Sequence, residues 1–258
     1  MRIGIIGAGS IGRALAVRLS GARHDVKLAN SRAPETIDTA ALETGARAVW
    51  VDEVTANVDV VIVSVNFGKI TDIAGHVSRA PEKAVVLDLT NYYPGRDGAI
   101  GGLGAGQTES LWVQEQYRRP LVKAWSTITI ESFVNKAVTS GTPGQIALPV
   151  LGDDDAHVAV ALSLVEQTGF DAVKAGSVAD SWRVQAGTPA YATDLAAEDL
   201  LQAVGNADAR RAARRRDLMI AVLEERSGGG KETVDPAFML GLTRLLFAPS
   251  QVSNGPRG

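Results

Sequence analysis

The sequence predicts an α/β protein with a doubly wound, parallel sheet and a helical C-terminal segment. Three observations predict it. Short β-branched runs alternate with stretches of helical periodicity through most of the chain, a glycine-rich turn joins the first run to the first helix, and after Ser177 only helical periodicity remains. Strands are expected at Arg2–Ile6, Asp25–Leu28, Asp59–Val65, Ala84–Asp88, Leu121–Ala124, Ile146–Leu151 and Asp171–Lys174. Between them, helices are expected at Ile11–Ser20, near Ile70–Val77, around Ser110–Gln116 and at Asp154–Thr168. The later helices are Asp194–Val204, Ala207–Arg226 and Pro236–Phe247, with a Gly228–Gly230 linker before the last. This reading divides the chain into a nucleotide-binding unit with extra strands, residues 1–178, and a helical segment, residues 179–258. The Pro-, Ser-, Asn- and Gly-rich stretch from Ala248 to Gly258 is expected to fray.

Composition excludes several function classes. Of 258 residues, 45% are hydrophobic and 21% charged, the balance of a globular protein, and a formal net charge of −3 gives no field that would gather nucleic acid. With no cysteine there is no disulfide, no thiolate nucleophile and no cysteine-ligated metal; no metal site is expected. Met1 leads directly into the apolar run Ile3–Ile6 without a signal-peptide pattern, and Val58–Val65 is too short to span a bilayer as a helix. A cytoplasmic location, small-molecule partners and no membrane association are the corresponding expectations.

The turn Gly7-Ala8-Gly9-Ser10-Ile11-Gly12 fits G-x-G-x-x-G between a strand and a helix, the Rossmann phosphate loop. Gly7 permits the tight turn, Gly9 lets the backbone approach a pyrophosphate, and Gly12 allows close helix–strand packing. The anion then rests on amide groups at the positive end of the first helix. About 20 residues on, where an NAD enzyme places a carboxylate against the ribose hydroxyls, this chain has Asn30-Ser31-Arg32. Nothing there repels a 2′-phosphate, and a hydroxyl and a guanidinium can hold it, so NADP(H) is the expected cofactor. The competing reading makes Arg32 a solvated loop residue paired with Glu35.

Together with LANSRAPETI (residues 28–37), GAGSIG (residues 7–12) resembles the deazaflavin-dependent NADP oxidoreductase family. DLTNYYPGRDG, from Asp88 to Gly98, is similar to the family's strand-end Asp-x-Thr-Asn segment. TESLWVQEQYRRPLVKAWSTI resembles its helix-then-strand segment, with Trp125-Ser126-Thr127 in place of the common Phe-Asn-Thr. The resemblance covers roughly Met1 to Ser177 and implies a Rossmann fold that passes hydride between NADP(H) and a deazaflavin or, in relatives joined to membrane metalloreductases, a flavin. It puts Asn30, Ser31 and Arg32 on the 2′-phosphate, and Ser64, Val65, Asn66, Thr90 and Asn91 beside the cofactor.

No catalytic residue is singled out. His24, His76 and His157 all fall away from the carboxyl ends of strands, where the ligand crevice of an open sheet lies. Lys123 is a crevice-proximal cation or a half-exposed strand lysine; Tyr92 and Tyr93 donate a proton or pack over a cofactor, with packing favoured. The glycines from Gly98 to Gly106 form a loop that either moves beside the cofactor or is an ordinary surface turn. Arg210, Arg211, Arg214, Arg215 and Arg216 read as a solvated helix face or as a surface for phosphates or an acidic partner. Trp182 is a pocket wall or core. Leu218, Val222, Met239, Leu242 and Leu246 pack on the sheet or form a homodimer interface. Alternatives to hydride transfer with a deazaflavin or flavin are reduction of a small carbonyl or imine, with Lys123 or a tyrosine as proton source, and a non-catalytic NADPH-sensing module.

Overall fold

The computed structural model describes residues 1–103, 106–230 and 232–248. Its eight-stranded sheet has the order β3-β2-β1-β4-β5-β6-β7-β8. The strands are β1 (Arg2–Ile6), β2 (Asp25–Ala29), β3 (Arg47–Ala48), β4 (Val60–Val63), β5 (Val85–Asp88), β6 (Val122–Lys123), β7 (Ala147–Leu151) and β8 (Asp171–Gly176). Every neighbouring pair is parallel except β6 with β7, which meet antiparallel at Lys123 and Leu151. The doubly wound parallel sheet is therefore present with one reversal near its end. The crossovers leave the carboxyl ends of β1, β2, β4, β5 and β6 along one edge.

Ten α-helices lie among the described residues: α1 (Ser10–Gly21), α2 (Val51–Val54), α3 (Ile70–Ser78), α4 (Pro94–Asp97), α5 (Glu109–Tyr117), α6 (Ile130–Asn135), α7 (Asp155–Gln167), α8 (Ala197–Gly205), α9 (Ala209–Arg226) and α10 (Pro236–Phe247). Strand β4 is wholly buried, as its unbroken apolar run requires of a strand covered on both faces. One core lies between the sheet and α1 with α7, where Leu15, Ala16 and Leu19 meet Phe133, Leu164 and Phe170. A second lies on the opposite face around Phe67, Val77, Val113 and Tyr117. Gly4 of β1 has its role here, because a Cβ would overlap the Val54 carbonyl oxygen at the end of α2.

Arg18 of α1 braces distant parts of the chain. Its guanidinium donates to the carbonyls of Phe133 (2.6 Å), Val134 (3.1 Å) and Thr168, and lies over the rings of Phe133 and Phe170 at 4.6 and 5.7 Å. Burial lowers its pKa from the usual arginine value.

The chain after β8 returns through a 3-10 helix, Val178–Val184, opened by a capping box between Ser177 and Asp180. Val184, Ala190, Leu200, Ala203 and Val204 then pack on Ala147 and Leu151, covering β7. Helices α9 and α10 leave Val222, Met239, Leu242 and Leu246 half-buried and do not pack Leu218 on the sheet. Arg215 and Met219 are inward on α9 and Thr243 and Phe247 on α10, whereas Leu218 is 45% exposed. Each inward pair is spaced i, i+4, one step round the helix from the predicted leucines. Arg215 donates to the carbonyls of Phe247 (3.2 Å) and Ala248 (2.9 Å), so a guanidinium sits at the negative end of α10. It is not a solvated charge. Arg210, Arg211 and Arg214 are exposed. Gly104 of the glycine-rich loop and residues 249–258, all but Ala248 of the stretch expected to fray, lie outside the described residues.

Candidate functional site

The glycine turn sits at the carboxyl end of β1. Gly7 has φ +110°, and its amide donates to the Ala29 carbonyl at 2.8 Å. A Cβ here would overlap the Ser64 carbonyl oxygen, and one at Gly12 would overlap the Gly7 carbonyl oxygen. At Gly9 the space a Cβ would take is open for 4 Å. Gly9 is also the N-cap of α1, no side chain caps its amides, and no acid lies in the first turn. The cradle thus presents unshielded N–H groups and helix-dipole charge to open space, the arrangement that accepts a pyrophosphate. Ala8 and Ile11 are half-buried, while Ser10 is exposed beside Gly9.

Beside it, at the end of β2, Asn30 orders the next turn. Its Oδ1 accepts from the Arg32 amide at 2.8 Å and its Nδ2 donates to Thr36 Oγ1 at 3.0 Å. This Asx turn holds Ser31 and Arg32 exposed at the edge of the crevice. Among the described residues no pair joins Arg32 to Glu35. A neighbouring guanidinium is committed elsewhere, since Arg13 of α1 pairs with Asp38 at 3.0 Å.

Ser64, Val65 and Asn66 follow β4 on the far side of the glycine turn; Ser64 and Val65 are half-buried and Asn66 exposed. Thr90 and Asn91 follow β5. Thr90 is buried and donates to Asp88 Oδ1 at 2.9 Å, so its hydroxyl is turned into the sheet. Asn91 Nδ2 donates to the Ser126 carbonyl at 2.8 Å, tying the ends of β5 and β6. Asn91 Oδ1 and Ser126 Oγ are buried and have no partner among the described residues. Buried polar atoms are rarely left so, and these two at the strand ends fit a donor and acceptor supplied by a bound group. Trp125 adopts φ +52° and anchors its indole by donating to Thr168 Oγ1 at 3.0 Å, which fixes Ser126 in this position.

Lys123 is not a crevice cation. It is fully buried, donates to Asp88 Oδ2 at 3.0 Å and to the Thr90 carbonyl, and forms an ion pair with no solvent exposure on either side. Its place between β5 and β6, two strands interior to the sheet, hides it.

Past these ends opens a cleft of about 890 Å³ between Tyr93–Arg96, the β6–α6 turn at Thr129–Glu131, and helices α9 and α10. The α9 and α10 walls are largely apolar, with Ile220, Ala221, Leu223 and Met239, and Arg216, Asp217 and Glu224 supply charge. Arg216 pairs with Asp217 at 2.8 Å and its guanidinium carbon lies 5.7 Å from the Tyr92 ring. The Tyr93 and Tyr191 hydroxyls are hydrogen-bonded to each other, and Arg96 lies over the Tyr93 ring at 4.9 Å. Burial pushes both phenols above the usual tyrosine value. Tyr92 packs between Phe67 and Arg216, its hydroxyl donating to the Gly98 carbonyl at 2.8 Å, which ties down the start of the glycine-rich loop. Ile100 and Leu103 of that loop pack against the core.

Glu109 was hidden in the sequence as an ordinary first-turn acid of α5. It is buried, and its Oε2 accepts from the Tyr92 amide at 3.1 Å. Burial pushes its carboxyl up to about 7 against the opposing pull of Lys123. Gly187, in the turn Gly187-Thr188-Pro189, has φ +96° and abuts the Ala212 carbonyl of α9, where a Cβ would overlap, so this contact seats α9. The histidines lie elsewhere: His24 bonds Gln167 at 2.8 Å and His76 faces Asp52 at 3.3 Å. Trp182 is half-buried under Arg183, 4.5 Å from its ring, and lies outside the cleft lining. Among the described residues no group of three or more His, Asp or Glu could hold a metal ion, and no helix is long and apolar enough to cross a membrane.

Comparison with known proteins places this geometry. Residues 2–92 match the family model described as NADP oxidoreductase, coenzyme F420-dependent. The YjhV protein of Escherichia coli (strain K12) is 48% identical over 63 residues, 24% of this chain, and the match spans only 46% of that relative's length. A hypothetical protein from Sinorhizobium meliloti shares the fold at TM-score 0.64 and 28% identity over 76% of this chain and 95% of its own. A crystal structure of a candidate F420-dependent NADP reductase from Arthrobacter sp. superposes at TM-score 0.54 and 18% identity, over 69% of this chain and 86% of its own, a likeness of fold. The cradle, the Asx turn of Asn30 and the end of β5 all fall inside the residues that match the coenzyme F420-dependent NADP oxidoreductase model.

Proposed function

We propose that the protein is an NADPH-dependent reductase that passes hydride between NADP(H) and a deazaflavin or flavin bound in the cleft beneath α9 and α10. The observation that carries this reading is the alignment, along one edge of the sheet, of an anion cradle, an exposed guanidinium, two orphaned polar atoms and a cleft large enough for a fused-ring acceptor. Bound there, NADPH supplies a hydride from its nicotinamide ring. Gly7, Ala8, Gly9, Ser10, Ile11 and Gly12 hold the pyrophosphate on backbone amides, and Ser31 and Arg32 take the 2′-phosphate on the turn that Asn30 organises. Ser64, Val65 and Asn66 flank the nicotinamide riboside. Asn91 Oδ1 and Ser126 Oγ meet the carboxamide, while Thr90 acts from behind by setting the end of β5. In this reading residues 1–178 hold the dinucleotide and the segment beginning at residue 179 supplies the far wall of the cleft. Positioning two rings face to face accounts for much of the rate in such a transfer, which suits a site whose walls are apolar and preformed.

The test is to mix the purified protein with NADPH and, separately, a deazaflavin, a flavin and a panel of carbonyl and imine compounds, following loss of nicotinamide absorbance. Oxidation with the deazaflavin or flavin is expected. Turnover with only a carbonyl or imine would transfer the site to the alternative substrate class, and tight binding without any turnover would leave an NADPH-sensing module.

A further inference from the structure

Tyr93 belongs to the cleft wall, two residues beyond Asn91, and its hydroxyl touches Tyr191 from the segment before α8. Two hydroxyls sharing one hydrogen bond leave one phenolic proton outside it, and among the described residues neither oxygen has a second hydrogen-bond partner. The charged groups around the pair are Glu109 of α5, Arg96 and Asp97 of α4, Glu131 of α6 and Arg216 of α9. Asp97 is spent on the Tyr93 amide at 2.9 Å and on Arg96. No base bonds either phenol, so both are neutral acids at physiological pH, and burial strengthens that state.

We propose that the Tyr93 hydroxyl is the proton donor of this site, with Tyr191 as its relay. The inference rests on the reductase reading above. When hydride forms a new C–H bond on an acceptor carbon conjugated to nitrogen or oxygen, the electron pair displaced from the π-bond moves to that heteroatom. The O–H bond of Tyr93 breaks and a heteroatom–H bond forms; the phenolate left behind takes the Tyr191 proton, and Tyr191 is reprotonated from water. The sum is NADPH, one proton and oxidised acceptor giving NADP⁺ and reduced acceptor. Glu109, beside both phenols, changes charge near neutrality and sets how easily the phenolate forms.

The test compares Tyr93→Phe and Tyr191→Phe with the unaltered protein. For Tyr93→Phe, kcat with the acceptor that the unaltered protein uses is expected to fall roughly 100-fold or more, as loss of a general acid does, with the NADPH Kd by calorimetry and the acceptor KM within about 3-fold. Tyr191→Phe is expected to lose about 10-fold and to move the alkaline limb of the kcat profile to higher pH. Independently of turnover, ultraviolet titration of phenolate absorbance is expected to show the Tyr93 ionisation moving up when Tyr191, the hydrogen-bond donor to its phenolate, is removed. Should Tyr93→Phe fail to fold by circular dichroism, Tyr191→Phe decides. Full rate in whichever variant is read, or an unmoved phenol ionisation, overturns the donor assignment and leaves the reductase reading standing. An unaltered protein that binds NADPH but reduces none of the acceptors overturns the reductase reading, and the donor with it.

Discussion

Under the proposed function, Arg32→Ala removes the group assigned to separate NADP(H) from NAD(H). In the structure Arg32 is exposed, carries its side chain on the Asn30 turn and forms no ion pair among the described residues, so its removal leaves the fold untouched. The turn itself survives, because Asn30 Oδ1 accepts from the backbone amide of residue 32, which alanine retains. A charge-assisted hydrogen bond contributes about 1.5–3 kcal/mol, which is about 10- to 100-fold in Kd. Exposure and screening favour the lower half of that range at physiological salt, and the loss should grow at low ionic strength. Calorimetric titration of both proteins with NADPH and NADH measures it. Weakening is expected for NADPH alone, with the melting temperature unchanged. Equal losses for the two dinucleotides, or none for either, would refute the assignment of the 2′-phosphate to this turn.

Gly12→Ala drives a methyl group into the Gly7 carbonyl oxygen and distorts the cradle, so NADPH and NADH should weaken together, in contrast to Arg32→Ala. Lys123→Met strands Asp88 as a buried charge without its partner; a loss of about 3–5 kcal/mol is expected, and on a chain of this size a fall in melting temperature on the order of 10 °C, with NADPH affinity nearly kept. Glu109→Gln tests the raised carboxyl: because the folded pKa of about 7 lies above the ordinary 4.5, folding favours the neutral acid, whose contribution is complete at low pH and is lost as pH rises through 7. Denaturant titrations should show the unaltered protein losing of order 3 kcal/mol more than Glu109→Gln between those pH values.

Much of the sheet was legible because its signals are local. β-branched runs marked seven of the eight strands to within a few residues, and the glycine spacing located the cradle. β3 was missed: it is two residues long, Arg47–Ala48, and exists only by pairing with β2. The reversal of β7 against β6 leaves no periodic trace, since a fully buried run reads the same in either direction. For the site, residues whose work is done by the backbone were readable, and residues whose work depends on tertiary neighbours were not. Lys123 reads as half-exposed until Asp88 and Thr90 close around it. Glu109 reads as a helix-start acid until α5 is pressed onto the Tyr92 amide. Tyr93 and Tyr191 are 98 residues apart, beyond any local pattern. Arg215 sits in a basic run whose members differ only in which carbonyls a later helix brings to them.

The Arg18 brace means that residue 92, where the match to the family model ends, is no boundary for excision. A fragment stopping there would leave this guanidinium without the carbonyls of Phe133, Val134 and Thr168, strip Leu15 and Leu19 of their aromatic cover, and bare one side of β5 as an open ladder. The cofactor-holding portion therefore matures only when residues up to about 170 have emerged, and a minimal soluble binder cut from this protein must keep that far aromatic pair.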